Sequence, residues 1–177
     1  MGDEMAFLPL LLKGALLYKG AQWTYKTIDA FIGRHYEPAI GSILYCNLGL
    51  ACEHTGVYVG NDRIVHLNGN GIVEIVSPKE FCNRLNGLNP VFTIFCIIDD
   101  SGRAITDVKC AERALSMVGS KKKYNVVWNN CHNFTAYCMT GTDSFCNSFT
   151  ELYLLLKKKY RRIHWRPSNL LDRKSVV

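Results

Sequence analysis

Apolar and polar positions change rhythm along this 177-residue chain, and each rhythm predicts a different element. Residues 5 to 20 are apolar with two lysines, Lys13 and Lys19. Leu8, Leu11, Leu12 and Leu16 can share one helical face, and Pro9 limits where such a helix starts. The pure apolar run is too short to span a bilayer. It reads as an N-terminal helix packed on the domain or, alternatively, as an element lying on a membrane. From 37 to 98 the pattern becomes β: Ile43-Leu44-Tyr45, Thr55 to Val59, Arg63 to Leu67, Ile72 to Val76 and Val91 to Ile98 are short runs rich in β-branched and aromatic residues. Gly41, Gly60-Asn61-Asp62, Asn68-Gly69-Asn70-Gly71 and Asn89-Pro90 separate them as turns. Helical spacing returns over 106–118, with Val108, Ala111, Leu115 and Val118 on one face, Thr106 or Asp107 as cap and Gly119 as stop.

A second helix is predicted after Asn129-Asn130, either of which can cap it, and Gly141 ends it. Cys131 opens this helix, and Phe134 and Cys138 share its side and should bury against the sheet. A last stripe, Phe145, Phe149, Leu152, Tyr153 and Leu156, runs straight into Lys157-Lys158-Lys159. The pattern divides the chain into an apolar helical extension (1–36), a central domain (37–141) and an amphipathic basic extension (142–177). The expected fold class is α+β, a small antiparallel sheet packed against the helix that carries Cys131.

Composition changes this picture little. At 48% hydrophobic and 20% charged, the chain can build a core, which excludes wholesale disorder. The net charge of +6 is unevenly spread: from Lys157 onward there are eight Lys and Arg against one acid, Asp172, so the remainder is close to neutral. The basic character belongs to the C-terminal segment. A basic amphipathic helix suits a surface of anionic lipid. Its alternatives are a packing helix with a solvated end or attraction to nucleic acid, and no interleaved aromatic motif favours the latter. Eight cysteines (46, 52, 82, 96, 110, 131, 138 and 146) occur without a CxxC pair and without a recognisable export signal. They read as reduced, mostly buried residues of a cytoplasmic protein, with peripheral membrane contact.

The candidate chemistry centres on Trp128-Asn129-Asn130-Cys131-His132-Asn133-Phe134. A cysteine in the first turn of a helix feels the positive end of the dipole, which favours thiolate. It becomes a nucleophile if a base lies nearby in space. His54, at the start of one predicted strand, and His66, at the end of the next, are brought together by the Gly60-Asn61-Asp62 hairpin. Cys131 as nucleophile, His54 as base and His66 as the residue orienting that base would complete a catalytic set, with the Cys131 N–H as oxyanion donor. A zinc site from Cys52, His54, His66 and Cys131 is a minor alternative, disfavoured because no close ligand pair has the usual spacing. His132 is an alternative base, but neighbours on a helix point about 100° apart, so its ring should face away from the thiol.

His54-Thr55-Gly56-Val57-Tyr58-Val59-Gly60, then Val65-His66, then Asn130-Cys131-x-x-Phe134 resemble the motifs of the lecithin retinol acyltransferase family. That family belongs to the permuted, NlpC-type branch of the papain-like superfamily. Its pattern is His-Trp/Tyr-x-Ile/Val-Tyr-Val/Leu-Gly, a second histidine, then Asn-Cys-Glu-His-Phe on a helix after the sheet. The resemblance covers residues 38 to 141. It implies a permuted papain-like fold with Cys131 as nucleophile, His54 as general base and His66 as the third, polarising member, and no cofactor or metal. It further implies acyl transfer from a glycerophospholipid through a Cys131 thioester to water, an amine or an alcohol, that is, phospholipid acyltransferase or phospholipase A chemistry. Other superfamily members cleave amide bonds as cysteine peptidases or amidases, and some with this pattern act as non-catalytic interaction modules. Two departures stand out: His132-Asn133 replaces Glu-His, and Thr55 replaces the aromatic after the first histidine. Nothing in the chain reads as a retinoid-specific insert.

Overall fold

The computed structural model describes residues 34–47, 53–83, 93–121, 130–143 and 145–172. The apolar run at 5–20, the start of the Val91 segment, Cys52 and Trp128-Asn129 lie outside these residues.

Among the described residues six strands form one antiparallel sheet: β1 (Ile43–Asn47), β2 (Glu53–Gly60), β3 (Arg63–Leu67), β4 (Val73–Val76), β5 (Phe95–Asp99) and β6 (Ile163–Pro167), in the spatial order β4-β3-β2-β1-β5-β6. Among the described residues four helices accompany it: α1 (Pro78–Cys82), α2 (Val108–Ser116), α3 (Cys131–Thr140) and α4 (Phe149–Tyr160). The α+β class expected from the sequence is the class observed.

Strand alternation gives the sheet two differently used faces. Ile43, Val57, Val65, Leu67 and Val73 form one core with Cys110 and Ala114 of α2, Phe134 and Cys138 of α3, and Leu152 and Leu156 of α4. Leu44, Cys46, Tyr58, Ile64 and Val76 point the other way, onto Phe81 of α1 and Leu170. The β2–β3 turn has Asn61 and Asp62 at φ of 50° and 52°, the left-handed pair that a two-residue hairpin requires.

Two helices differ from their sequence patterns. In α2 the buried residues are Cys110, Ala111 and Ala114, whereas Val108, Leu115 and Val118 are exposed. The small side chains let α2 approach α3 closely, and Arg113 then reaches the carbonyl oxygens of Cys138 (2.6 Å) and Met139 (2.9 Å) at the end of α3. The last carbonyls of a helix lie at the negative end of its dipole, so a cation suits them. The final stripe starts later than its spacing suggests, because Ser148 caps α4 and forms a capping box with Glu151. Phe145 lies outside the helix and is 83% exposed. The segment beyond residue 142 supplies both α4 and β6, and β6 pairs with β5 from Phe95↔Pro167 to Asp99↔Ile163.

Gly41 ties the sheet to α2. It has a φ of +83°, and a Cβ there would fall 1.8 Å from the Asp107 carbonyl oxygen. Asp107 caps α2 and donates its N–H to the Ile40 carbonyl at 3.0 Å. Gly41→Ala is therefore expected to destabilise the protein by about 3 kcal/mol or more, through strain at positive φ and a clash with backbone. A urea-unfolding midpoint checks this, and a change within experimental error would refute it.

Candidate active site

Each half of the site has a local cause. Asn130 caps α3 in extended conformation (φ −118°, ψ −177°), its Oδ1 accepting from the N–H groups of His132 and Asn133, each at 3.0 Å. Its Nδ2 donates to the Asn147 carbonyl at 2.8 Å, which fixes the cap to the chain before α4. Gly141 ends the helix in left-handed conformation. Cys131 is thus the first helical residue, with an N–H that the cap does not take.

The β2–β3 hairpin sets the other half. His54 and His66 sit diagonally on the α1 face of the sheet, with His54 Nε2 2.8 Å from His66 Nδ1. Their rings meet edge to face, 4.8 Å between centroids and 85° between planes. Phe81 packs against both, at 4.9 and 5.7 Å. Gly56, between them along the sheet, leaves the room: a Cβ there would lie 2.9 Å from Ile64 Cγ2 and 3.0 Å from the Phe81 ring. These two nitrogens are spent on each other in a hydrogen bond, a geometry that competes with metal ligation.

The thiol meets β2 on either side of His54. Cys131 Sγ lies 3.9 Å from the Glu53 carbonyl oxygen. The backbone N–H and hydroxyl of Thr55 also face it. The structure thus brings the two imidazoles into direct contact and seats the thiol on the residues flanking the first of them. Cys131, His54 and His66 are all buried, at 5%, 6% and 0% exposure.

Burial changes the electrostatics anticipated for a helix-start cysteine. Desolvation raises the Cys131 pKa, and the N–H groups of Thr55, Cys131 and His132 together with the Thr55 hydroxyl offset this only in part. The helix-terminus effect is worth about 0.3–1 kcal/mol, too little against removal of a thiolate from water. Burial therefore favours the neutral thiol.

His132 also differs from its expectation. Its Nδ1 lies 4.0 Å from Cys131 Sγ and 3.3 Å from the Thr55 hydroxyl, so the ring turns towards the thiol. The Thr135 hydroxyl, 3.1 Å from that of Thr55, bonds to the Cys131 carbonyl at 2.8 Å. Burial lowers the His132 pKa to about 4, against a smaller opposing pull from Glu151. Near neutral pH the ring is uncharged.

Sequence reasoning singled out Thr55 only as a departure from the family motif, and missed Thr135, Phe81 and Glu74 as parts of this arrangement. Glu74 stands opposite His66 in the β3–β4 register, with Oε1 3.1 Å from His66 Nε2. Alternation places it on the face of His66, but only the register of the Asn68–Gly71 turn pairs the two. For Phe81 the signal was available in Ser77-Pro78-Lys79-Glu80, a capping box with proline at the first helical position.

The chain matches the lecithin retinol acyltransferase family model over residues 36–144, more than half of its length. It belongs to the lecithin retinol acyltransferase family. The matched region holds β1 to β5, α1 to α3 and the three residues Cys131, His54 and His66. Human lecithin retinol acyltransferase is a distant relative, 24% identical over 126 residues that cover 54% of this chain and 54% of that protein. The chain therefore spans about half the length of this curated relative. The two departures from the family motifs, Thr55 and His132, touch each other in the fold.

Proposed function

We propose that this protein is a thiol-dependent phospholipid acyltransferase or phospholipase A, built on the permuted papain-like fold, that works through a Cys131 thioester. The observation that carries the reading is the thiol of Cys131. It sits at the capped start of α3, against the β2 segment that holds His54, which is itself hydrogen-bonded to His66. In the first half-reaction His54 takes the thiol proton as sulfur attacks an ester carbonyl of a glycerophospholipid. The Cys131 N–H faces the developing oxyanion. Collapse releases a lysophospholipid, whose alkoxide oxygen receives the proton from His54. In the second half-reaction water, an amine or an alcohol gives its proton to His54 and takes the acyl group, restoring the thiol.

His132 is a weaker candidate for the base although its nitrogen lies close to sulfur. A general base works best with a pKa near the working pH, and burial holds His132 at about 4. Its role is to pack beside the thiol and hold Thr55.

Peripheral membrane contact from the cytoplasmic side follows from the substrate. Among the described residues no helix is long and apolar enough to cross a membrane. Lys157, Lys158, Arg161, Arg162 and Arg166 are exposed at the end of α4 and along β6, where they can meet anionic headgroups. The seven described cysteines are all buried, as suits a reducing compartment.

Intact mass after mixing the full chain with short-chain phosphatidylcholine micelles tests the reading. An added fatty-acyl mass with released lysophospholipid is expected. Absence of both, alongside cleavage of peptide or amide substrates that requires Cys131, would replace it with a peptidase or amidase. Absence of all three activities would leave an interaction module.

A further inference from the structure

We infer that Glu74 is a positioning residue that sets the tautomers of both histidines, so that proton exchange with Cys131 takes place at Nδ1 of His54. The inference rests on the thiol–histidine reading above. Its support is the row Glu74 Oε1, His66 Nε2, His66 Nδ1 and His54 Nε2, with contacts of 3.1 Å and 2.8 Å at the two ends of the His66 ring.

A neutral imidazole carries one N–H and one lone pair, and an ionised carboxylate only accepts. Glu74 can bond to His66 only if the proton of His66 is on Nε2. His66 Nδ1 then holds the lone pair and must accept, which puts a proton on His54 Nε2. The remaining nitrogen of His54, Nδ1, is the basic one. One carboxylate at the edge of the sheet thereby decides which atom of a ring two residues away does the chemistry. When His54 acts, the S–H bond of Cys131 breaks, its electron pair stays on sulfur, and a bond forms from the proton to Nδ1. The His54 imidazolium then has both nitrogens protonated, and its Nε2–H bond to His66 is unchanged. No second proton has to move.

The placement suits this role. His66 is fully buried, so a ring there depends on protein partners. Glu74 is directly opposite it across the β3–β4 ladder and its side chain is 34% exposed, so the carboxylate keeps contact with water while Oε1 reaches inward. Partners of this kind fix ring orientation and tautomer, and behind metal-ligating histidines their removal lowers activity about 10- to 100-fold.

The test uses the full chain labelled with 15N-histidine, and long-range 1H–15N correlation reads each tautomer without any substrate. His54→Gln and His66→Gln supply the assignments. Wild type is expected to show both rings protonated on Nε2. In Glu74→Val, His66 should lose that single tautomer, and site-resolved alkylation of Cys131 by iodoacetamide at neutral pH should slow by about 10-fold. Glu74→Gln keeps an accepting oxygen, so it should retain the tautomer and stay within about 3-fold of wild type. A proton on Nδ1 of His66 in wild type overturns the inference with no variant needed. So does a Glu74→Val protein with unaltered tautomers and alkylation rate. Neither readout involves lipid, so an absent acyl adduct counts against the phospholipid reading alone. An acyl adduct combined with the wrong tautomer counts against Glu74 alone.

Discussion

Cys131→Ala is expected to form no acyl adduct and to lower phospholipid turnover by a factor on the order of 10⁴ or more, the scale seen when a covalent nucleophile is removed from an enzyme. The loss should appear in kcat, because the ester would still occupy the site without an atom to attack it. The fold should survive the change. The Asn130 cap, the Thr135 bond to the residue-131 carbonyl and the contact between Thr55 and His132 all remain without the sulfur. Cys138→Ala is the matching control. Cys138 is as deeply buried, seven residues along the same helix, but sits inside the core with Phe134 and Leu152. Its truncation costs packing, about 1 kcal/mol, and leaves the adduct intact. Intact mass and a melting curve on the two variants read both effects. If Cys131→Ala still accumulates an acyl adduct, the nucleophile is another residue and the mechanism falls.

The contrast between these two cysteines marks where sequence is informative. The cap at Asn130, the stop at Gly141 and the Gly60-Asn61-Asp62 hairpin are local signals, and each forms the element it indicates. The proximity of His54 and His66 followed from that hairpin alone, and they do meet. Strand β6 was not legible, because Ile163 to Pro167 follows a run of cations and shows its alternation only once β5 accepts it as an edge. Of the inward face of α2 only Ala111 was legible, since Cys110 and Ala114 bury beside it through close helix approach and not through hydrophobic size. At the site, the charge state of Cys131 was misjudged because a helix dipole is a property of the segment, whereas desolvation depends on what the fold packs over it. His132 was misplaced for a related reason. The angle between neighbours on a helix fixes where Cβ points, and the Thr55 hydroxyl then decides where the ring goes. The two departures from the family motifs, Thr55 and His132, thus become each other's partners.

His54 and His132 are the two candidate bases, and substitution separates them. His54→Gln is expected to slow acyl-enzyme formation by about 10²- to 10⁴-fold, the contribution of a positioned general base. Burial favours the neutral thiol, so attack by sulfur draws on a base to take its proton. Single-turnover kinetics with a short-chain phospholipid isolates this step from later transfer to the acceptor. His132→Gln should stay within about 10-fold, since a ring with a pKa near 4 contributes little basicity and mainly holds the Thr55 hydroxyl. The sign of the pH dependence gives a second readout. A base of pKa about 4 would leave the rate flat from pH 5 to 8 in its own right, because it is already unprotonated across that range. Any fall in rate on acidification within that range must come from another group, and it should vanish together with the activity in His54→Gln. If His132→Gln instead produces the larger loss and His54→Gln the smaller, the catalytic base is the histidine beside the thiol on the helix face. The pair across the sheet, with Glu74 behind it, would then serve to hold β2 in place beneath Cys131.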